Sequence, residues 1–117
     1  MQDHVYMGWL LQFYRPVLSE KQRRVLGMYL EEDLSLAEIA EQTGISRQAV
    51  HDALHRGEAT LVAMEGEMHL LARYRSVREA LQACQTLAEA EPIDRAALRD
   101  GINEALRLWE GDEADGI

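Results

Sequence analysis

The sequence has little cysteine, little proline and no long apolar run, and each shortage excludes a class of protein. One cysteine among 117 residues rules out a disulfide framework and any cysteine-rich zinc site, and it suits a reducing compartment. No apolar stretch approaches the roughly 20 residues that a membrane-spanning helix needs. The chain begins Met-Gln-Asp-His, without the basic segment of a secretion signal. We therefore expect a cytoplasmic protein that does not insert into membranes.

Positive charge is also scarce in this sequence. The chain has 12 lysines and arginines against 21 aspartates and glutamates, which gives a formal net charge of −9. A net anion is repelled by nucleic acid unless its basic groups are concentrated locally. Residues 1–18 carry no net charge, residues 19–60 carry −3 and the remainder carries −6. Most of the acidity therefore lies outside residues 19–60, although that segment is itself not basic.

The low content of glycine and proline favours helices. Only 8 glycines and 2 prolines occur, and good helix formers such as leucine, alanine, glutamate and arginine dominate. The apolar fraction of 47% is that of a folded protein, and the length is typical of one domain. We expect a single all-α domain over residues 1–117.

A first helix is predicted before Pro16. Four apolar residues follow the spacing of one helix face, namely Tyr6, Leu10, Phe13 and Val17. Because the residue before a proline is disfavoured in the α conformation, this helix is expected to end near Tyr14.

Three N-cap patterns mark the starts of three further helices. They are Ser19 with Gln22, Ser35 with Glu38, and Ser46. A serine followed three residues later by glutamine or glutamate is the capping-box pattern, in which the two side chains bond to backbone amides of the first turn. The first two of these helices are expected to end near Leu30 and Gln42, and the third is expected to begin at Arg47.

The segment from Leu36 to Leu54 matches the helix-turn-helix pattern. Alanine is needed where the second helix crosses the first closely, glycine permits the turn, and apolar residues hold the two helices together. The matching residues are Ile39, Ala40, Gly44, Ile45, Val50, and Ala53 or Leu54. Residues 19–60 are therefore predicted to form a three-helix helix-turn-helix module.

The third helix of this module is predicted to be long. Apolar or small residues recur at alternating spacings of four and three along Val50, Leu54, Gly57, Leu61, Met64, Met68 and Leu71. Such a seam is typical of helices that pack side by side, and it ends at Arg75.

A helical extension over residues 61–110 is expected after the module. A capping pattern at Ser76 and a break at Pro92 predict two more helices, over residues 77–90 and 95–110. An acidic tail over residues 111–117 follows.

Two interpretations of the seam remain open. In the first, the C-terminal helices fold back and cover the long helix within one chain. In the second, the seam forms a homodimer contact through Leu61, Met64, Met68 and Leu71. We expect a mixture, in which the C-terminal helices pack on the long helix and these four residues leave a patch for a second subunit.

The second helix of the motif carries the candidate nucleic-acid contacts. In DNA-binding helix-turn-helix proteins, residues at the N-terminal end of this helix meet base edges in the major groove. Arg47 could pair with a guanine and Gln48 with an adenine. The predicted contacts are Ser46, Arg47, Gln48, His51, His55 and Arg56, with Lys21 and Arg24 of the preceding helix as backbone contacts. A protein-docking module is the alternative, because the segment is net acidic and Asp52 lies among these residues.

Other chemistry is not indicated. His51 and His55 have the spacing that lets two imidazoles share a metal ion, but no third ligand is near them, so no metal is expected. Cys84 lies on a predicted apolar stripe and is expected to be buried. The sequence has no glycine-rich phosphate loop and suggests no serine–histidine–aspartate set. We therefore expect neither a cofactor nor an enzyme.

Several short motifs are shared with a known family. They are Phe13-Tyr14, Leu18, Lys21-Gln22, Asp33-Leu34-Ser35-Leu36, Glu38-Ile39-Ala40-Glu41, and Ser46-Arg47-Gln48-Ala49-Val50 with Asp52 and Arg56. Together they resemble the YlxM family of small bacterial helix-turn-helix proteins over residues 5–75. The resemblance implies an all-helical fold whose module is similar to the promoter-reading last domain of sigma factors. His51 and His55 depart from it, since relatives often have an aromatic and a basic residue there.

The resemblance also bears on function. The genes of this family lie beside those of the signal recognition particle GTPase and its receptor, which implies a regulatory or accessory role in that pathway. Two functions remain open. One is a nucleic-acid-binding regulator linked to the pathway, and the other is an accessory that does not bind DNA and contacts the GTPase, its receptor or its RNA.

Overall fold

The computed structural model describes residues 3–111, and most of the predicted acidic tail lies outside the described residues. Its six α-helices are α1 His4–Tyr14, α2 Glu20–Leu30, α3 Leu36–Thr43, α4 Arg47–Met68, α5 Leu70–Glu89 and α6 Arg95–Glu110, with a short 3₁₀ helix at Arg15–Val17. No strand occurs among residues 3–111. The all-α prediction is confirmed.

The helix starts of the module follow from its serine caps. Ser19 Oγ accepts from the backbone N–H of Gln22 at 3.2 Å, and the Ser19 N–H donates to Gln22 Oε1 at 3.1 Å. Ser35 and Glu38 form the same reciprocal pair at 3.1 and 2.9 Å. Ser46 Oγ accepts from the N–H three residues later at 3.0 Å. These bonds satisfy amides that have no carbonyl one turn earlier, so all three predicted caps are confirmed.

The turn between α3 and α4 depends on Gly44. Its φ of 78° is left-handed, a conformation that costs glycine nothing because it has no Cβ. Its N–H donates to the carbonyl of Ala40 at 2.9 Å and closes the last turn of α3. The chain then enters α4 after only two more residues.

The chain divides into two compact units between His69 and Leu70. In the first unit, α4 packs against α1, α2 and α3. The core consists of Met7, Leu10, Leu11, Tyr14, Leu18, Val25, Leu26, Leu30, Ile39, Val50, Ala53, Leu54 and Leu61. Removing these side chains from water is the main stabilising contribution to the unit.

The buried face of α1 differs from the predicted one. Helix α1 ends at Tyr14 as expected, because Pro16 is held in the 3₁₀ helix that follows. The buried residues are Met7, Leu10, Leu11 and Tyr14, whereas Val17 is 45% exposed. The predicted stripe assumed that helical periodicity continues to Val17, and the 3₁₀ helix interrupts it.

The boundary between α4 and α5 also differs from the predicted one. Helix α4 ends at Met68, His69 adopts a left-handed φ of 56°, and α5 begins at Leu70. Ser76 lies inside α5, so its capping pattern does not start a helix there. A true N-cap needs an extended residue before the helix, and Ser76 is already helical.

In the second unit, α5 and α6 pack on each other through small residues. A Cβ added to Gly101 would lie only 2.8 Å from Sγ of Cys84, so the helices approach closely there. Cys84 is buried as predicted, and Ala105 is buried on the same side of α6. Asp94 caps α6 by accepting from the backbone N–H of Ala97 at 3.0 Å.

No helix within the described part of the chain is both long enough and apolar enough to cross a membrane. The expected packing of the C-terminal helices on α4 stays a prediction.

Candidate nucleic-acid interface

Helices α3 and α4 form the predicted helix-turn-helix. Ile39 and Val50 are fully buried, and Ala53 and Leu54 face inward beside them. Ile45 is half-buried over the turn. The first residues of α4 therefore project from a fixed base, as a recognition helix requires.

All eight predicted contact residues are exposed, but they do not form one cluster. Lys21 lines a shallow cavity of about 480 Å³ with Arg24 and a second one of about 320 Å³ with Arg56. We call Lys21, Arg24 and Arg56 the basic cluster. It joins α2 to the middle of α4.

Arg47 lies apart from the basic cluster. It precedes Arg56 by nine residues, which is two and a half turns, so the two arginines occupy opposite edges of the exposed face of α4. His51 and His55 lie nearer the Arg47 edge, with ring centroids 4.1 Å apart. Both arginines were predicted to lie on the outward face of α4, and both are exposed there, at its two edges.

An acidic side chain lies beside the basic cluster, because Asp52 lines the same cavity as Lys21 and Arg56. Nε2 of Gln48 donates to Oδ1 of Asp52 at 3.0 Å, and the Asp52 side chain is 56% exposed. Nδ1 of His51 lies 3.8 Å from the same Oδ1. Gln48 and Asp52 are four residues apart, which is the spacing at which side chains pair along a helix, but this pair was not predicted from the sequence.

The N-terminus of α4 is compatible with an anion. The hydroxyl of Ser46 is occupied by the amide of Ala49. The amides of Arg47 and Gln48 belong to the first turn, where no carbonyl lies one turn earlier. Such amides and the helix dipole favour a phosphate.

One carboxylate of the module has a perturbed pKa. The pKa of Glu38 is lowered, first because its carboxylate accepts the backbone N–H of Ser35 and second because of the Ser35 side chain. Both interactions favour the charged form. The carboxylate that caps α3 is thus a structural group and not a candidate acid or base.

The four predicted dimerisation residues have different environments. Leu61 and Leu71 are 0% and 1% exposed within a single chain, and Leu71 belongs to α5. Met64 is half-buried and Met68 is 46% exposed. A contact at this place would therefore use the two methionines, and it stays a prediction.

The described residues 3–111 contain no group of three or more histidine, cysteine, aspartate or glutamate side chains arranged to hold a metal ion.

The helix-turn-helix geometry agrees with the comparison to known proteins. Residues 1–94 match a family model, UPF0122, described as "Putative helix-turn-helix protein, YlxM / p13 like". The chain belongs to this family. The resemblance to YlxM proteins inferred from residues 5–75 is thereby confirmed.

Relatives in UPF0122 are similar over most of their length. The chain is 40% identical over 98 residues to a UPF0122 protein of Lacticaseibacillus casei, which covers 84% of this chain and 87% of the relative. It is 41% identical over 100 residues to one of Halalkalibacterium halodurans, which covers 86% and 87%. It is 39% identical over 98 residues to one of Symbiobacterium thermophilum, which covers 84% and 87%.

Proposed function

We propose that this UPF0122 protein is a regulator that binds double-stranded DNA through its helix-turn-helix, as a homodimer and without catalytic activity. The observation that carries the proposal is that the first residues of α4 and the basic cluster are both exposed. As part of the same proposal, the protein acts in the cytoplasm.

Base contacts come from the start of α4. Arg47 lies at its first position and can donate two hydrogen bonds to O6 and N7 of a guanine. Gln48 can contact an adenine only after it releases Asp52, so its contribution to affinity is smaller. Sequence preference therefore rests mainly on Arg47.

Backbone contacts come from the basic cluster. Lys21, Arg24 and Arg56 can neutralise three phosphates, and each releases counterions on binding. With three contacts, the logarithm of the binding constant should fall with the logarithm of salt concentration at a slope of about −3 for one module. The net charge of residues 19–60 predicts that binding is weak above physiological salt.

The test is a salt titration of binding to a pool of random duplexes, followed by sequencing of the bound fraction. Arg47→Ala should lower affinity for the selected sequence roughly tenfold and relax its sequence preference. Arg107→Ala on α6 is the control, because it removes the same charge from an exposed residue of the second unit. If no duplex binds even at low salt and high protein concentration, the proposal fails.

A second candidate function is that of an accessory that contacts proteins of the signal recognition particle pathway. Asp52 favours it, because a carboxylate beside Lys21 and Arg56 repels phosphates. The resemblance to YlxM proteins implies the GTPase, its receptor or its RNA as the partner, and a carboxylate at this place favours the two proteins over the RNA. Titration of the chain with each purified component distinguishes the candidates, and binding by none of them would contradict this one.

A further inference from the structure

The hairpin of α5 and α6 has large apolar side chains outside the seam between its helices. Val77 and Leu81 of α5 and Leu98 and Ile102 of α6 line one open groove of about 690 Å³. Leu106 and Trp109 follow Ile102 at spacings of four and three, so they continue the same stripe along α6. We call these six residues the hairpin strip.

The hairpin strip is poorly covered within one chain. Leu81 is 48%, Ile102 is 45%, and Leu106 and Trp109 are each 55% exposed. The seam itself is built from small residues, as at Cys84 and Gly101. Two helices that approach through small residues and keep their large side chains on one side form half of a layered helical core.

The exposed surface is large enough to matter. These four side chains together expose on the order of 400 Å² of apolar surface, a patch size that commonly marks an interaction site. A stable interface buries roughly 800 Å² on each partner. The half-buried and charged residues next to the hairpin strip add to the area of the patch and bring it toward that size.

Charges along the margins of the strip are complementary to those of a second copy. Exposed Arg78 and Glu89 are eleven residues apart on α5, and exposed Arg99 and Glu110 are eleven residues apart on α6. Eleven residues are three turns, so each pair lies along one edge of its helix. Each edge is therefore positive near the start of its helix and negative near the end.

The two helices are antiparallel neighbours, so Arg78 and Glu110 lie toward one end of the hairpin and Glu89 and Arg99 lie toward the other. Two strips can face each other around a two-fold axis that lies in the plane of the interface in either of two directions. If the axis is perpendicular to the helix axes, Arg78 meets Glu89 of the second copy. If the axis is parallel to the helix axes, Arg78 meets Glu110 of the second copy. Opposite charges meet in both arrangements, as an isologous interface requires.

We propose that the hairpin strip is the homodimer interface, and that two hairpins stack face to face as a four-helix bundle. The inference rests on the homodimer of the proposed function but not on its DNA binding. It is therefore measured without nucleic acid, so that its failure and that of DNA binding are distinguishable.

The experiment is sedimentation equilibrium of the full chain over a range of concentrations, with circular dichroism to check helix content. The wild-type chain is expected at twice its 13.3 kDa mass. Ile102→Glu should lose the dimer because it buries a charge in the strip. Ala96→Glu is the matched control, because Ala96 is exposed and lies about a third of a turn around α6 from Ile102, and it should leave the dimer intact. A monomeric wild type, or a dimer that survives Ile102→Glu, overturns the proposal.

Charge reversal gives a second measurement that does not alter the apolar strip. Arg78→Glu replaces an attractive contact at the margin with a like-charge contact, and the two-fold axis makes this contact occur twice in the dimer. We expect it to weaken the dimer about tenfold. Adding Glu89→Arg should restore it if the two-fold crosses the helices, and adding Glu110→Arg should restore it if the two-fold runs along them. A dimer constant that is unchanged by Arg78→Glu overturns the pairing of the margins.

Discussion

The hydroxyl of Tyr14 on α1 donates a 2.5 Å hydrogen bond to Oε1 of Glu65 on α4, and both side chains are buried. The bond ties α1 to the C-terminal half of α4, away from the end that carries Arg47. Because α4 is continuous from Arg47 to Met68, α1 helps to fix the direction in which the N-terminus of α4 projects.

Removing this hydroxyl should destabilise the first unit. Tyr14→Phe deletes a donor to a buried carboxylate, and hydrogen bonds to charged groups contribute about 1.5–3 kcal/mol. Glu65→Gln keeps an acceptor oxygen and should cost less. Urea denaturation measures both, and Glu67→Gln, the same change at an exposed position of α4, should leave the free energy of unfolding unchanged. Equal stability of Tyr14→Phe and wild type would contradict the contribution assigned to this bond.

The contact between Tyr14 and Glu65 could not be predicted from the sequence, in contrast to the helix caps. The caps at Ser19, Ser35 and Ser46 were predictable because a capping bond joins residues only two or three positions apart. Tyr14 and Glu65 are separated by 51 positions, and their contact depends on how α1 packs on α4. Glu65 lies four residues after Leu61, so helical periodicity places it beside the seam, but nothing in the sequence indicates that Tyr14 is its partner.

The end of α4 at Met68 could not be predicted from the sequence either, for a different reason. The usual signal of a helix end is a glycine or proline just after the last turn, whereas here His69 takes that position and the nearest glycine, Gly66, lies inside α4. At the candidate interface, helical periodicity correctly predicted which residues are exposed. It did not predict the basic cluster, because the position of Lys21 relative to Arg56 depends on the packing of α2 against α4.

Two glycines of α4 should respond oppositely to alanine. A Cβ on Gly57 would overlap the Leu26 side chain, which is fully buried, whereas Gly66 has nothing within 4 Å. Overpacking costs typically about 1–3 kcal/mol, and replacing a helical glycine by alanine gains about 0.5–1 kcal/mol. We expect Gly57→Ala to lower the free energy of unfolding by about 1 kcal/mol and Gly66→Ala to raise it by up to about 1 kcal/mol. Stabilisation by both changes in urea denaturation would show that α2 and α4 do not approach closely.

The cap on α3 should make the module sensitive to acid. The lowered pKa of Glu38 means that the unfolded chain binds this proton more tightly than the folded one does. The stability it supplies is therefore present above the ordinary glutamate pKa and lost as pH falls through the lower, folded-state pKa. Glu38→Gln keeps an acceptor for the N–H of Ser35 but does not titrate, so its stability should depend less on pH in that range.

Thermal unfolding of wild type and Glu38→Gln across the acidic range measures the difference. Glu41→Gln is the control, because Glu41 is exposed on α3 and takes no part in the cap. If the two variants show the same pH dependence, the cap does not contribute to acid sensitivity.

Removing the carboxylate of Asp52, which lies beside the basic cluster, should strengthen DNA binding. Asp52→Asn keeps an oxygen that can accept from Gln48 but removes the charge that repels phosphates. We expect the affinity for duplex DNA to rise severalfold, with a roughly 1 kcal/mol gain at low salt that diminishes as salt screens the charge. Fluorescence anisotropy with a labelled duplex measures it. Asp100→Asn changes the same charge at an exposed position of α6, and it should leave the affinity unchanged because it lies in the second unit. An equal gain from both variants would mean that net charge governs the binding, and that this face of α4 does not meet the DNA.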